Sequence, residues 1–187
     1  MTAPDAFRDQ PVLHGSTVRL EPLTVAVLED YLHGLHDPEV QRLTGTHAVF
    51  EPDGIEEWLR TRVDHHDRAD WAVVRSQDGA FLGEAVINDF DPANGSANYR
   101  VWLAGPQSLG HGYGTETTDL IIRYAFDQVR LHRLALQVHE HNPRARRVYE
   151  KCGFTVEGRL REALLWQGRR YDSLLMSMLG TDPRPSM

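Results

Sequence analysis

Thr17-Val-Arg-Leu-Glu-Pro-Leu23 alternates apolar and polar side chains, the period of two that lays one face of a strand on a core. From Thr24 the period lengthens. Val27, Leu28, Tyr31, Leu32 and Leu35 share one helical face, and Thr24 is placed to cap that helix. Asp37-Pro38 opens a second, short helix as cap and first residue, and Ile55, Trp58, Leu59 and Val63 mark a third from Pro52 to about His65. Strands follow at Trp71–Arg75 and Ala80–Phe90, joined through the turn Ser76-Gln-Asp-Gly79. A second turn, Asp91 to Gly95, leads into a strand from Ser96 to Leu103. Beyond a Gly-rich loop, a helix from about Thr115 to Arg130 buries Leu120, Ile121, Tyr124, Ala125 and Val129. Arg133–His139 is a strand, Asn142–Cys152 a helix stopped by Gly153, and Phe154–Leu165 and Tyr171–Leu179 are strands around Gln167-Gly168. The order predicts an α+β (mixed α/β) sheet with helices on both faces. Residues 13–180 read as a single domain between a flexible N-terminus, 1–12, and a flexible tail, 181–187.

Composition narrows the functional classes. The chain has 187 residues, enough for one domain with a substantial core. It contains no run of about 18 apolar residues, so no membrane span is expected. The polar Met1–Gln10 does not resemble a secretory signal. Twenty basic against 27 acidic residues give a net charge of −7, which argues against a broad grip on nucleic acid. Cys152 is the only cysteine, so no intrachain disulfide forms, and a reducing cytoplasmic location is expected. Lys151 is the only lysine; every other basic residue besides histidine is the planar, bidentate Arg.

Two segments carry candidate chemistry. In Leu109-Gly-His-Gly-Tyr-Gly-Thr115 three glycines at spacing two sit between a strand and a helix. Such a loop lets a ligand approach the backbone, and the helix start adds unpaired N–H groups and a partial positive charge. The segment reads either as a phosphate cradle or as an ordinary turn with a helix cap. It is not a Walker loop, and G-x-G-x-G is a poor dinucleotide fingerprint. The second segment is His141-Asn-Pro-Arg-Ala-Arg-Arg-Val-Tyr-Glu-Lys-Cys-Gly-Phe154. Asn142 caps, Pro143 begins, and Ala145, Val148, Tyr149 and Cys152 face inward. Arg144, Arg146, Arg147 and Lys151 against Glu150 leave this helix locally +3, either a solvated face or a site for an anion.

Together these two segments, in this order and about 25 residues apart, resemble the GNAT superfamily of acyl-CoA-dependent N-acyltransferases. The resemblance spans roughly Thr17 to Leu179. Arg19-Leu-Glu-Pro-Leu23, Gly112-Tyr-Gly-Thr-Glu116 and the ending Gly158-Arg, Gly168 and Asp172 are most similar to the branch of ribosomal-protein N-terminal acetyltransferases, which also holds polyamine and antibiotic acyltransferases. The resemblance implies a twisted, mostly antiparallel sheet with a central splayed parallel pair, acetyl-CoA as co-substrate without a metal, and a possible homodimer. It implies that Val101, Trp102 and Leu103 offer a strand edge to the pantetheine arm. Leu109, Gly110, His111, Gly112, Tyr113, Gly114 and Thr115 would cradle the pyrophosphate, Asn142 would contact the arm, and Arg144 or Arg146 would reach the ADP phosphates. Where relatives usually begin the loop with Gln or Arg, this chain has Leu109.

The implied reaction is direct attack of a primary amine, on a protein N-terminus or a small cationic molecule, upon the thioester, with the helical segments 24–67 expected to shape the acceptor cleft. Tyr149 matches the family's proton donor to the leaving thiolate. Asn98 stands where many relatives carry a Glu base, and an amide cannot accept that proton. Glu84, which interrupts an apolar strand, is the next candidate, either as a buried base or as a solvent-facing residue. Asp89 and His111 are further options, and Glu116 in the first helical turn suits a structural role. The ten histidines lack metal-ligand spacing, and Cys152 reads as a packing residue. Two alternatives stand beside acetyl transfer: another donor such as succinyl-CoA, with Arg100 meeting the extra carboxylate, and a non-catalytic acyl-CoA-binding module.

Overall fold

The alternating segments become one sheet in the computed structural model, which describes residue 7 and residues 10–105 and 108–185. Among these residues there are eight strands: β1 (Leu13–His14), β2 (Val18–Pro22), β3 (Ala69–Arg75), β4 (Phe81–Asp91), β5 (Ser96–Leu103), β6 (Arg133–His139), β7 (Thr155–Trp166) and β8 (Arg169–Leu179). The longer period yields five α-helices: α1 (Leu28–Leu35), α2 (Pro38–Thr44), α3 (Pro52–Arg60), α4 (Tyr113–Arg123) and α5 (Pro143–Lys151). The strand order is β1-β2-β3-β4-β5-β6-β8-β7. Every neighbouring pair is antiparallel except β5 and β6, which run parallel. The mixed sheet with helices on both faces is thus as expected.

Local chemistry explains the boundaries. Asp37 accepts from the amides of Glu39 at 2.8 Å and Val40 at 3.4 Å, Pro38 occupies the first turn of α2, and Gly45 closes it in the left-handed region. Asn142 Oδ1 accepts from the Ala145 amide at 3.1 Å to start α5. The helix expected from Thr115 begins two residues earlier, at Tyr113. It gives way after Arg123 to a π-helical turn over Tyr124–Gln128.

The two sheet faces bury different clusters. On β3, Ala69, Trp71 and Val73 join Ile121, Leu134 and Met176 in the core under α4 and α5. The alternate residues Ala72 and Val74 pack with Tyr31, Ile55 and Leu59 of α1 and α3. With helices on both sides β3 is buried throughout except at Arg75, which is why its sequence is almost continuously apolar. Within the N-terminal stretch expected to be loose, Phe7 is fully buried against Phe90, with ring centroids 5.1 Å apart. The Pro11 carbonyl accepts from Trp71 Nε1–H at 3.0 Å. A lone Phe among polar residues has no period to betray its burial. Residues 1–6, 8 and 9, and residues 186 and 187 of the tail, lie outside the described residues.

Candidate active-site cleft

The cleft begins where strand pairing stops. β5 and β6 are in register only over Ser96↔Arg133, Ala97↔Leu134 and Asn98↔Ala135, although both strands continue. Beyond that point they part, so the edge of β5 from Tyr99 to Leu103 has no strand on its β6 side. A cleft of about 650 Å³ opens there, between the two strands and the starts of α4 and α5. An unpaired edge is a row of free amide and carbonyl groups, ready for an extended ligand that carries amides of its own.

On the α4–α5 side the cleft is lined by Tyr99, Val101, Leu103, Leu109, Gly110, Gly112, Tyr113, Gly114 and Thr115. No side chain caps α4, and its Ncap residue Gly112 has φ of 83°. A Cβ at Gly112 would meet nothing within 4 Å. The helix start is therefore open, with unpaired amides directed at the cleft and a left-handed residue that glycine adopts without strain. Asn142, Arg144, Ala145, Val148 and Tyr149 of the α5 region complete this wall. Asn142 spends its side-chain oxygen on the cap, and Arg146 pairs with Glu150 at 2.7 Å instead of reaching the cleft. His111 is exposed, stacked on Tyr113, and also lies outside the lining.

Tyr149 is 6% exposed and packs edge-on against Tyr99 and Phe154. Its hydroxyl makes no hydrogen bond among the described residues. Burial, and then the nearby Cys152, hold its pKa well above the ordinary phenol value. A neutral, unpartnered O–H on the cleft wall is a proton donor in waiting. Tyr99, beside it, is anchored through Thr118 at 3.1 Å, and Thr118 donates in turn to the Gly114 carbonyl at 2.7 Å.

On the opposite face of the sheet, Val40, Leu43 and Thr44 of α2, Arg100 and Trp102 of β5, and Gln137 and His139 of β6 line the cleft. Arg100 and Trp102 are named by the sequence and α2 lies within the segments 24–67 expected to shape the acceptor cleft, whereas Gln137 and His139 carry no such signal. His139 Nδ1 meets Ser173 Oγ at 2.8 Å and Nε2 meets the Thr44 carbonyl at 3.3 Å. A carbonyl only accepts, so Nε2 carries the proton and the Ser173 hydroxyl donates to Nδ1. His141 stacks parallel to His139 and bonds the Arg42 carbonyl at 2.6 Å, so two imidazoles tie the end of α2 to β6.

Neither Glu84 nor Asn98 lines the cleft. Asn98 is exposed, and its amide donates to Asp89 Oδ2 at 2.9 Å, at the β4 irregularity where Asp89 takes φ of 52°. Glu84 is buried rather than solvent-facing, at 2% exposure. It accepts from Tyr31 Oη–H and Trp102 Nε1–H, each at 2.9 Å. Burial, and next the charge of Asp70, raise its pKa, while Arg100 and the two hydrogen bonds act the other way. The preceding Gly83 has φ of 154°, and a Cβ there would lie 2.0 Å from the Trp102 carbonyl. Only glycine permits this approach, which brings Glu84 level with Trp102 in the β4–β5 register. Glu84 thus buttresses the cleft wall through Trp102. Trp71 fills the core, and Trp58 stacks on Tyr31 under the Arg62 guanidinium.

Glu116 clamps the β1–β2 turn to α4. Its carboxylate accepts from the amides and hydroxyls of Ser16 and Thr17. Burial opposes ionisation of Glu116, but the hydrogen bonds from Thr17 and Ser16 outweigh it and lower its pKa. Among the described residues no three His, Cys, Asp or Glu side chains come together as a metal site, and no helix is long and apolar enough to cross a membrane.

Comparison with known proteins matches this architecture. A profile of the acetyltransferase (GNAT) domain matches residues 17–155. A spermidine N(1)-acetyltransferase of Vibrio cholerae is 30% identical over 163 residues, which cover 84% of this chain and 92% of the relative. A probable N-acetyltransferase of Bacillus subtilis is 36% identical over 179 residues, covering 91% of this chain and 98% of the relative. A crystal structure of the Vibrio cholerae spermidine N-acetyltransferase, in complex with CoA and spermine, superposes with a TM-score of 0.83. That superposition covers 90% of this chain and 98% of the other at 23% sequence identity, so it speaks to the fold. With a family profile spanning most of its length and a splayed parallel pair at the centre of its sheet, the chain belongs to the GNAT acetyltransferase family.

Proposed function

We propose that this protein is an N-acetyltransferase that moves an acetyl group from acetyl-CoA to a primary amine by direct attack. The observation that carries the reading is convergence on one cleft: the free edge of β5 at 99–103, the uncapped start of α4, Arg144, and the unpartnered hydroxyl of Tyr149. Acetyl-CoA supplies an activated thioester carbonyl. The residues present fit it. Free amides and carbonyls of Val101 to Leu103 match the amides of the pantetheine arm, and backbone N–H groups from Gly110 to Thr115 suit the pyrophosphate. Arg144 adds a bidentate cation beside them. A strand amide of β5 donates to the carbonyl oxygen as negative charge develops there, the attacking nitrogen sheds a proton to solvent water, and Tyr149 Oη gives its proton to the departing sulfur and is reprotonated from solvent. Glu84 and Asn98, set back from the cleft, position its walls in this reading. A single, buried Cys152 suits a reducing cytoplasm. If two copies pair, the outer edge of β7, with Val156, Leu160 and Leu165 exposed, offers a surface for it.

Calorimetry with acetyl-CoA, followed by thiol release over an amine panel, tests the proposal. Tyr149→Phe is expected to keep acetyl-CoA affinity and to lower kcat by about 10²–10⁴. Undiminished kcat in Tyr149→Phe would remove the tyrosine from the proton-transfer step. No acetyl-CoA binding by the intact chain would end the reading as a whole.

A further inference from the structure

We infer that Arg100 selects an acceptor that bears a carboxylate beside its amine, an amino acid or a peptide terminus of that kind rather than a polyamine. The inference rests on the acetyltransferase reading above and refines its acceptor.

Strand geometry assigns the two sides of the cleft. On β5, Tyr99, Val101 and Leu103 point to the face of α4 and α5, where the open amides lie; Val101 and Leu103 pack on that core. Arg100 and Trp102, between them, point to the other face, and Trp102 packs with the cluster of α1 and α3. An acceptor therefore enters from the α2 side, past Val40, Leu43, Thr44, Arg100, Gln137 and His139. Among the described lining residues there is no Asp or Glu anywhere in the cleft.

A polyamine presents several ammonium groups and needs carboxylates to replace its water. Glu84, behind Trp102, is not available: both oxygens are taken, by Tyr31 and by Trp102, and the residue is 2% exposed. The net charge of −7 is a sum over the whole chain and places no carboxylate among the residues lining this wall. What the wall offers instead is a guanidinium. Arg100 is exposed and has no hydrogen bond or ion pair among the described residues, unlike Arg42, Arg68, Arg75, Arg133 and Arg146. Its fork of N–H donors fits a carboxylate in two parallel bonds. The same positive charge favours the neutral, nucleophilic form of an adjacent amine over the ammonium, which suits a cleft wall without a carboxylate base. His139, the other ionisable side chain on this wall, has both ring nitrogens engaged by Ser173 and Thr44.

The test uses the full chain with acetyl-CoA and paired acceptors: L-leucine, L-methionine and β-alanine, each beside its carboxamide, together with spermidine. Calorimetry with acetyl-CoA comes first. Wild type is expected to prefer a carboxylate over its own amide by about 10–100-fold in kcat/KM, the worth of one charged, bidentate contact, with the difference carried by KM. In Arg100→Gln the ratio is expected to fall to near one, and Arg100→Lys to recover part of it as a point charge. If acetyl-CoA does not bind, the function proposed above fails and the inference falls with it. If acetyl-CoA binds but spermidine outruns every carboxylated amine, or if none of these turns over, the inference alone is overturned. A preference that survives Arg100→Gln overturns it as well. So does a preference for succinyl-CoA over acetyl-CoA that Arg100→Gln abolishes, since Arg100 would then read the donor.

Discussion

Glu84 is the ionisable group whose burial has the most measurable consequence. Its pKa lies above the ordinary 4.5, first because burial penalises the charge and next because Asp70 repels it. Between its unfolded and folded pKa values the native state therefore binds the extra proton. Stability falls as pH rises through that window, and the contribution is fully present only below the unfolded value. One proton sets the limiting slope at about 1.4 kcal/mol per pH unit. With an m-value of roughly 2 kcal/mol per molar urea for a chain of this size, the midpoint moves by about 0.7 M per pH unit within the window. Glu84→Gln keeps the shape and removes the titration. Its amide oxygen accepts from Trp102 Nε1–H and its NH₂ donates to the Tyr31 oxygen, so both contacts are kept and the pH-independent offset is small, about 1 kcal/mol or less. Urea titrations of both proteins from pH 5 to 8 separate the two effects. The midpoints start close together and separate as pH rises, with Glu84→Gln becoming the more stable, because only wild type loses stability through Glu84. Other groups, His139 among them, titrate alike in both chains and cancel in the difference. Parallel midpoint curves across that range would refute the assignment of Glu84 as a carboxylate held at high pKa.

Three further outcomes follow from the geometry. Gly112→Val, at φ of 83°, places a branched side chain over the free amides of α4. It is expected to weaken acetyl-CoA binding by about tenfold or more by calorimetry, at a stability cost of about 1–2 kcal/mol. Glu116→Gln loses charged hydrogen bonds to Ser16 and Thr17, about 1 kcal/mol at this half-exposed site. The folded pKa of Glu116 is lowered, so the deficit is present above the unfolded value and vanishes as pH falls through the folded one; thermal melts at pH 7 and at pH 3 check this. Cys152 is 1% exposed and its thiol is pushed up to about 12 by burial, then by Asp119. An aromatic disulfide reagent should label it at the rate of unfolding, and labelling of the native protein within mixing time would contradict its burial.

Elements were legible wherever a local signal was complete. Asp37-Pro38 and Asn142-Pro143 carry both cap and first turn within a few residues, and both helices begin there. Asp-Gly at 78–79 and Gln-Gly at 167–168 mark the two tight turns between paired strands. Where the signal was distributed, it was lost. Glu84 looked alike as a buried or a solvent-facing residue, because β4 is covered on both faces and its own alternation says nothing. What Gly83 accommodates is visible only in the 2.0 Å approach of its Cβ position to the Trp102 carbonyl. His139, Gln137 and the α2 residues of the cleft carry no motif, since they become neighbours through the sheet rather than along the chain.

The sequence alone determined the class of fold, the glycine loop leading into a helix, the capped basic helix bearing Tyr149, and through these the family. Each is a contiguous stretch whose backbone preferences are set by its own residues. The tertiary structure decided where strand pairing ends and which residues face the gap. The three-residue register between β5 and β6, the withdrawal of Glu84 behind Trp102 and the placement of Arg100 on the acceptor wall all depend on residues far apart in sequence. Charge shows the difference most plainly. A net of −7 is a sum over the surface, whereas binding responds to the few groups that line one cleft, and there the described side chains contribute Arg100 and Arg144 with no carboxylate.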